Sequence, residues 1–535
     1  MSRSWRRLGL VLFLLAVLGG GLLGERLLAF TDEARSTLRI FTELVSLAHD
    51  RYGEEIAYSE LVESSIQGMV QALDPHTSFL SASAYSIMRD RQESTFSGLG
   101  ILVGMRNGRL TVITPIEGTP ASRLGLRAGD YINSIEGEPT ETMGLDDAVR
   151  QLKGPKGTQV TITVLRAGLE EPLEFTITRD EIPQTTVRYS YMLEPGTGYL
   201  YVTDFNRGTG REVAEAIATL KEEGLERLLL DLRNNGGGLL DQAIAVSDQF
   251  LADGAKIVET RGRTRDSFQE YRATDNFPEL DLPVIVLVSE GSASASEIVS
   301  GAIQDHDVGL IVGTPTWGKG LVQTVYSLPY GAGLALTTAK YYTPSGRLIQ
   351  RDYSSWFDYT NHNGANADGL DTLGEPYQTD LGRTVYGGGG ISPDVLVEPE
   401  QAGAFVQFLV ARSAFFDYAV EYTSRSTVAD RDWSPSEEVF EGFLSWAVSQ
   451  ELADRDEIDE GLADPDDRER AKRLLHAEVV NSVFGLEARY EVLAGGDNQI
   501  RKALTLFDQA GELLARRKAI AAPGDRRVAR AQPGS

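Results

Sequence analysis

Three runs constrain this chain more than anything else in it: Leu228–Leu232, Pro283–Ser289 and Val308–Val312. None alternates cleanly between apolar and polar residues, so each predicts a short strand covered on both faces. A further strand, Tyr199–Phe205, precedes them, and helical spacing fills the gaps at Arg211–Glu223, Leu239–Leu251 and Ser294–Gln304. Strands alternating with helices predict a largely parallel, covered sheet. Val322–Leu328 and Leu334–Tyr341 predict an antiparallel pair that follows it.

The remainder of the 535 residues does not share this rhythm. Residues 31–95 carry mostly apolar positions at three- and four-residue steps (Leu38, Phe41, Leu44, Val45, Ala48; then Leu61, Ile66, Met69 with Ser65 on the same spacing) and predict helices. The second should stop at Leu73–His76, because the residue before Pro75 avoids the α region. Residues 96–180 turn to short strands and Gly turns, with helices at Pro120–Leu124 and Leu145–Leu152, and predict one small β-rich domain. The αβ core takes 181–400 and includes a Gly-, Asn-, Asp- and Tyr-rich excursion over 351–390. Residues 401–515 predict a helical extension without recognisable chemistry, and 516–535 a basic disordered tail. The fold class is α/β and α+β multidomain.

At the start of the chain, Arg3, Arg6 and Arg7 precede seventeen uncharged residues, Leu8–Gly24. That is the layout of a secretory signal or signal anchor, at the short end of the roughly 17–25 residues that span a bilayer. A buried core helix is the plainer alternative, but three arginines at one end and the position argue against it. No clean cleavage site follows, Gly19–Gly21 being the nearest, so residues 1–30 are read as a retained inner-membrane anchor with the body outside the cytoplasm, in a periplasm.

Composition then removes chemistries. With no cysteine there is no disulfide, thiolate metal site or cysteine nucleophile. His49, His76, His306, His362 and His476 form no H-E-x-x-H or H-x-H pair, so no metal and no cofactor is expected. A net charge of −27 argues against nucleic acid. Setting aside the four basic and one acidic residue of 1–30, the body carries −30, a solvated acidic surface with no partner assigned to it.

Within those limits the segment Ser289–Glu297 stands out, because it leaves a buried strand and opens a helix. A serine there has the helix N-terminus beside it, which favours a developing oxyanion. Ser294 with Glu297 three residues on is equally the pattern of a helix capping box. A serine nucleophile needs a base, and His306 lies twelve residues along the same helix, roughly 18 Å away. No G-x-S-x-G elbow is present. Lys319, between Gly318 and Gly320 just past the next strand, returns to the same sheet edge. Partial burial there would lower an amine pKa and let it accept a serine proton. Gln323, four residues on, shares a face with Lys319 and could orient its amine. Gly313–Gly320 nearly matches a phosphate-binding G-x-x-x-x-G-K-[ST] loop, but Gly320 replaces the hydroxyl and Pro315 removes an N–H. The turn Asp231–Gly238 ends another buried strand at the same edge. The N–H groups of Gly236, Gly237 and Ala295 could hold an oxyanion, and an ordinary Gly-rich turn is the bland alternative.

Taken in order, Gln71–Phe79, Phe96–Gly100, Asp231–Gly238, Ser292–Glu297 with Gly318–Gln323, and Gly390–Val395 resemble the C-terminal processing peptidases, PDZ-containing Ser/Lys endopeptidases of peptidase family S41. The resemblance covers roughly residues 35–400. It implies Ser294 as nucleophile, Lys319 as general base and Gln323 as the partner of the base. It also implies a PDZ domain over 96–180 whose Ser97, Gly98, Leu99, Gly100 and Ile101 receive a peptide's terminal carboxylate, with Ile101 and Val103 lining the groove. Substrates would be proteins and peptides with free C-termini, and a homodimer through terminal helices is a further implied partner. One departure is Gly236, where the family usually has Pro. Two other readings remain at this level. One is a non-catalytic PDZ scaffold that binds C-termini at the envelope. The other, a Ser-His-Asp protease, finds no histidine in a suitable context.

Overall fold

A computed structural model describes residues 35–274, 281–354 and 374–521. The N-terminal apolar run, the end of the basic tail and the middle of the 351–390 excursion lie outside the described residues. The backbone divides into two units, one of residues up to Ala82 together with Gln323–Thr337, the other of Ser83–Val322 with the chain from Thr338 onward.

In the first unit the expected helices form, over 35–51 and Tyr58–Gln71. The turn at Pro75 is held by Asp74, whose carboxylate accepts the N–H of His76 (2.8 Å) and of Thr77 (2.8 Å) and the hydroxyl of Thr337 (3.0 Å). Burial acts to raise the Asp74 pKa, but these bonds and the Thr77 hydroxyl hold it below the usual carboxylate range. The strand Ser78–Leu80 leaves this turn and pairs antiparallel with Gly333–Ala335. Gln323 belongs to this unit, and its side-chain amide donates to the His76 carbonyl. The Gln71–Phe79 block is thus a built loop rather than a mere helix stop.

In the second unit, residues 101–178 form a six-strand antiparallel sheet, five strands in the order Ile101–Arg106, Arg109–Pro115, Tyr131–Ile135, Gln159–Leu165, Leu173–Thr178 and the short Glu138–Pro139 paired to Tyr131–Ile135. Val112, Ile132, Ile135, Val160, Ile162, Val164 and Ile177 close its core, with Ala148 and Leu152 from the helix Leu145–Leu152. The strand Ile101–Arg106 is the sheet's edge, with that helix beside it.

The αβ core is a six-strand sheet whose spatial order follows chain order: Val187–Glu194, Thr197–Val202, Arg227–Asp231, Val284–Val288, Gly309–Gly313, Val395–Leu396. The first pair is antiparallel and the rest are parallel. A sheet that never reverses direction and is connected with one hand carries its crossover helices on one face. Thr209–Glu222, Leu240–Asp248 and Ala295–Asp305 accordingly all pack on the face of Leu200, Val202, Leu228, Leu230, Val284, Val286 and Val288. The opposite face, Tyr199, Leu229, Ile285, Leu287, Leu310 and Val312, is just as apolar and needs another cover. That cover comes from the far end of the chain, where Ala494, Ile500, Ala503, Leu506, Phe507, Ala510 and Leu513 pack against it. The helices Asn498–Leu504 and Phe507–Ala521 are therefore a layer of the core, although the sequence presented them as part of an extension.

The stretch of chain that precedes these last helices builds a second helical core, with Phe415, Phe440, Phe443, Leu444, Leu475 and Val479 at its centre. His476 sits beside Trp433, ring centroids 5.8 Å apart, with its Nε2 buried and without a partner. Burial lowers its pKa, so the unfolded chain binds a proton more readily than the folded one. Its contribution is present above the unfolded value near 6.5 and is lost as pH falls from there towards the folded value. Urea midpoints at pH 7.5 and 5.5 should converge in His476→Phe relative to wild type; an unchanged difference would show that His476 has no part in the slope.

Candidate active site

Three turns meet at the carboxyl edge of the parallel strands: 232–239 after Arg227–Asp231, 289–294 after Val284–Val288, and 314–320 after Gly309–Gly313. The first two are joined by serines. Ser292 donates its hydroxyl to the Leu232 carbonyl (2.7 Å), and Ser296 to the Asn235 carbonyl (2.8 Å). Both are fully buried, whereas Ser294 between them is half-buried. Of the three serines in S-A-S-A-S, two are therefore structural.

Ser294 also differs in its backbone. At φ 56°, ψ −110° it occupies a sparsely populated region that non-glycine residues rarely adopt, at the mouth of the helix Ala295–Asp305. Such strain costs on the order of 1–3 kcal/mol and persists only where the surroundings impose it. Two buried groups impose it here. The Glu297 carboxylate accepts the Ser294 N–H (2.7 Å), and the Tyr341 hydroxyl lies 3.1 Å from the Ser294 carbonyl oxygen, towards which it donates. A strained serine at a strand-to-helix turn thus occurs without the G-x-S-x-G pattern.

The same two groups reach Lys319. Glu297 accepts its N–H (2.9 Å) together with those of Gly318 (2.7 Å) and the Thr316 hydroxyl (2.6 Å). The Tyr341 hydroxyl is 2.6 Å from the Lys319 carbonyl oxygen. Ser294 and Lys319 N–H groups therefore share one carboxylate oxygen, and the two carbonyls share one phenol. Burial pushes the Glu297 carboxyl up, opposed by these four hydrogen bonds, and raises the Tyr341 phenol far above its ordinary value, which keeps it a donor. Lys319 is half-buried between buried Gly318 and Gly320. The phosphate-loop likeness also finds its answer here, because the Gly318 and Lys319 N–H groups already bond the chain's own carboxylate.

The Asn234–Gly238 turn approaches Ser294 closely. A Cβ on Gly237 (φ +92°) would lie 2.6 Å from the Ala293 carbonyl oxygen and 2.8 Å from both the Ala295 nitrogen and the Ser294 Cβ. The Gly237 N–H donates to Asn235 Oδ1 (2.9 Å), and the other end of that amide donates to the Val202 carbonyl (2.8 Å). The N–H groups of Gly236 and Ala295 have no acceptor among the described residues. In this structure Gly237 supplies the close approach, while Gly236 and Ala295 present open donors.

His306 caps the far end of the helix, bonded to Asp380 (2.7 Å) and to the Lys256 carbonyl (2.7 Å), away from these turns. Gln323 is on the strand Leu321–Ser327, four residues past Lys319. In the β-rich domain, Ser97 and Gly98 pair with Glu181 and Asp180, so they form a strand, while the N–H groups of Leu99 and Gly100 have no acceptor among the described residues. Gly100 has φ +80° and abuts Thr119, whose hydroxyl donates to its carbonyl (3.0 Å). Ile101 and Val103 are partly buried against the domain core, beneath the open strand edge. Glu297 was legible only as a helix cap. Tyr341 carried no signal.

Comparison with known proteins agrees with this architecture. The family described as "Peptidase family S41" matches residues 196–353, and that described as "PDZ domain" matches 111–166. A carboxy-terminal-processing protease of Bartonella bacilliformis is 42% identical over 316 residues, covering 58% of this chain and 70% of that protein. A carboxyl-terminal-processing protease of Synechocystis is 37% identical over 294 residues, 54% and 68% of the two chains. The solved photosystem II D1 C-terminal processing protease is 28% identical, with a TM-score of 0.35 over 66% of this chain and 85% of that one. Fold and relatives together define a serine-type protease that carries a PDZ domain. The chain belongs to peptidase family S41, among the carboxy-terminal-processing proteases.

Proposed function

We propose that this protein is an endopeptidase of the cell envelope that takes a protein's C-terminus into its PDZ groove and cleaves by a Ser294/Lys319 dyad through an acyl-enzyme. The observation that carries the reading is the double tie of Ser294 and Lys319 to the buried Glu297 and Tyr341. A substrate strand adds to the open edge at Ile101–Arg106, its carboxylate received by the N–H groups of Leu99 and Gly100. Neutral Lys319 takes the proton of Ser294 as its Oγ attacks the scissile carbonyl. The oxyanion is held by the open N–H groups of Gly236 and Ala295. Collapse expels the amine, which leaves with the lysine's proton. Water, deprotonated by the same amine, then attacks the ester and frees Ser294. Gln323 keeps the supporting role that the family resemblance gives it. Residues 1–30 hold the body at the outer side of the inner membrane.

The test pairs the protein with an unfolded polypeptide whose C-terminus is either free or amidated. Cleavage should favour the free end and should rise with pH as the Lys319 ammonium loses its proton, since only the neutral amine accepts one. Lys319→Arg should be inactive at every pH, because a guanidinium does not deprotonate. Binding of the free end without cleavage would favour the scaffold reading, and a fully active Lys319→Arg would remove the dyad.

A further inference from the structure

We propose that the C-terminal helical region is a working part of the cleavage site, with Asp497 and Gln499 as positioning residues that set the Asn234–Gly238 turn through Arg233. The inference rests on the site assignment above. Arg233 opens that turn, three residues before Gly236, and its side chain runs to the opposite end of the chain. Its Nε and Nη2 bond Asp231 (3.0 and 2.6 Å), the buried last residue of its strand. Its Nη1 bonds Asp497 Oδ2 (2.7 Å) and Gln499 Oε1 (2.7 Å). Burial disfavours the Arg233 charge, but Asp231 and then Asp497 more than offset it and raise its pKa.

The anchor is itself held in place. Asp497 caps the helix Asn498–Leu504 through its other oxygen, accepting the N–H of Gln499 (2.8 Å) and Ile500 (3.0 Å). Gln499 donates to the Val397 carbonyl (2.7 Å). The Tyr490 hydroxyl meets that of Tyr199 (3.0 Å), which donates to Asp231 (2.7 Å). Three residues of one helical region thus converge on the Asp231–Arg233 pair. On its other side the turn is pinned by Asn235, whose carbonyl accepts Ala293 N–H (3.0 Å) and the Ser296 hydroxyl (2.8 Å). Gly236 and Gly237 follow directly after these two pins, with little stiffness of their own. A buried ion pair is weak evidence of stability, and its best-attested use is to specify geometry. Displacement of an oxyanion donor by about 1 Å can cost on the order of 10²-fold in rate.

Asp497→Ser separates the two jobs of this residue: serine is also a strong N-cap, but it is too short to reach Arg233. Gln499→Met keeps the shape without the acceptor. In the full chain, the double variant should lower kcat by about 10²-fold with KM for a peptide bearing a free C-terminus unchanged, and Asp497→Glu should recover part of the loss. Hydrogen exchange at Gly237, whose N–H Asn235 accepts, should be faster in the double variant and unchanged in Ser294→Ala. Wild-type exchange in the double variant overturns the proposal whatever the cleavage assay gives. So does an unchanged kcat in a cleaving enzyme, or parallel losses of kcat, peptide binding and unfolding midpoint. Faster exchange in a protein whose wild type cleaves nothing would support the brace and refute the site assignment instead.

Discussion

Ser294→Ala should lower kcat on an unfolded protein by at least about 10³-fold, since removing a serine nucleophile leaves only binding and oxyanion stabilisation. The geometry makes a second, independent prediction at the same position. With φ 56°, ψ −110°, Ser294 occupies a conformation that glycine adopts freely and alanine does not. Ser294→Gly and Ser294→Ala both lack the hydroxyl, so both should be inactive, but the glycine variant should be more stable than the alanine variant by about 1 kcal/mol. Guanidinium unfolding of the two settles it. Equal stabilities would mean that the backbone at 294 relaxes. An active alanine variant would mean that the nucleophile lies elsewhere.

The other large effect belongs to Gly237→Ala. The added methyl would meet the Ala293 carbonyl and the Ala295 nitrogen, which are backbone atoms of the Ser294 turn and cannot swing aside. A left-handed φ of +92° adds strain. Cleavage should fall by about 10²-fold or more, with a stability loss of about 1–3 kcal/mol. The neighbouring Gly236→Ala is the control. Nothing lies within 4 Å of its Cβ, and its φ is not positive. It should stay within about 0.5 kcal/mol of wild type and continue to cleave. If the two variants behave alike, the close approach of Gly237 to Ser294 does not govern the site.

These expectations show where local pattern suffices. The strands at 228–232, 283–289 and 308–312 and the helix Leu145–Leu152 were legible because burial and period are written in consecutive residues. The edge strand Val187–Glu194 and the hairpin of Lys256–Gly262 with Gln269–Arg272 were not, because mixed polar and apolar residues at a sheet margin lack a period. Leu73–His76 read as a helix stop, yet its Asp74 makes hydrogen bonds that only a folded Thr337 completes.

By itself the sequence determined the chemistry available. With no cysteine and no well-placed histidine, a serine at a strand-to-helix turn is left with a lysine one turn away at the same sheet edge. It also determined that the core strands would be apolar on both faces. Only the tertiary structure decided how these groups are held. It separated Ser294 from Ser292 and Ser296 by backbone strain and hydrogen bonding, and it engaged the Gly237 N–H with Asn235. It gave Glu297 and Tyr341 their hold on both Ser294 and Lys319. It also brought the last helices of the chain onto the second face of the sheet, where Arg233 meets Asp497 across 264 residues of sequence. Periodicity is a property of neighbours in the chain. A hydrogen bond between distant residues depends on where the whole backbone travels, and no local pattern encodes that.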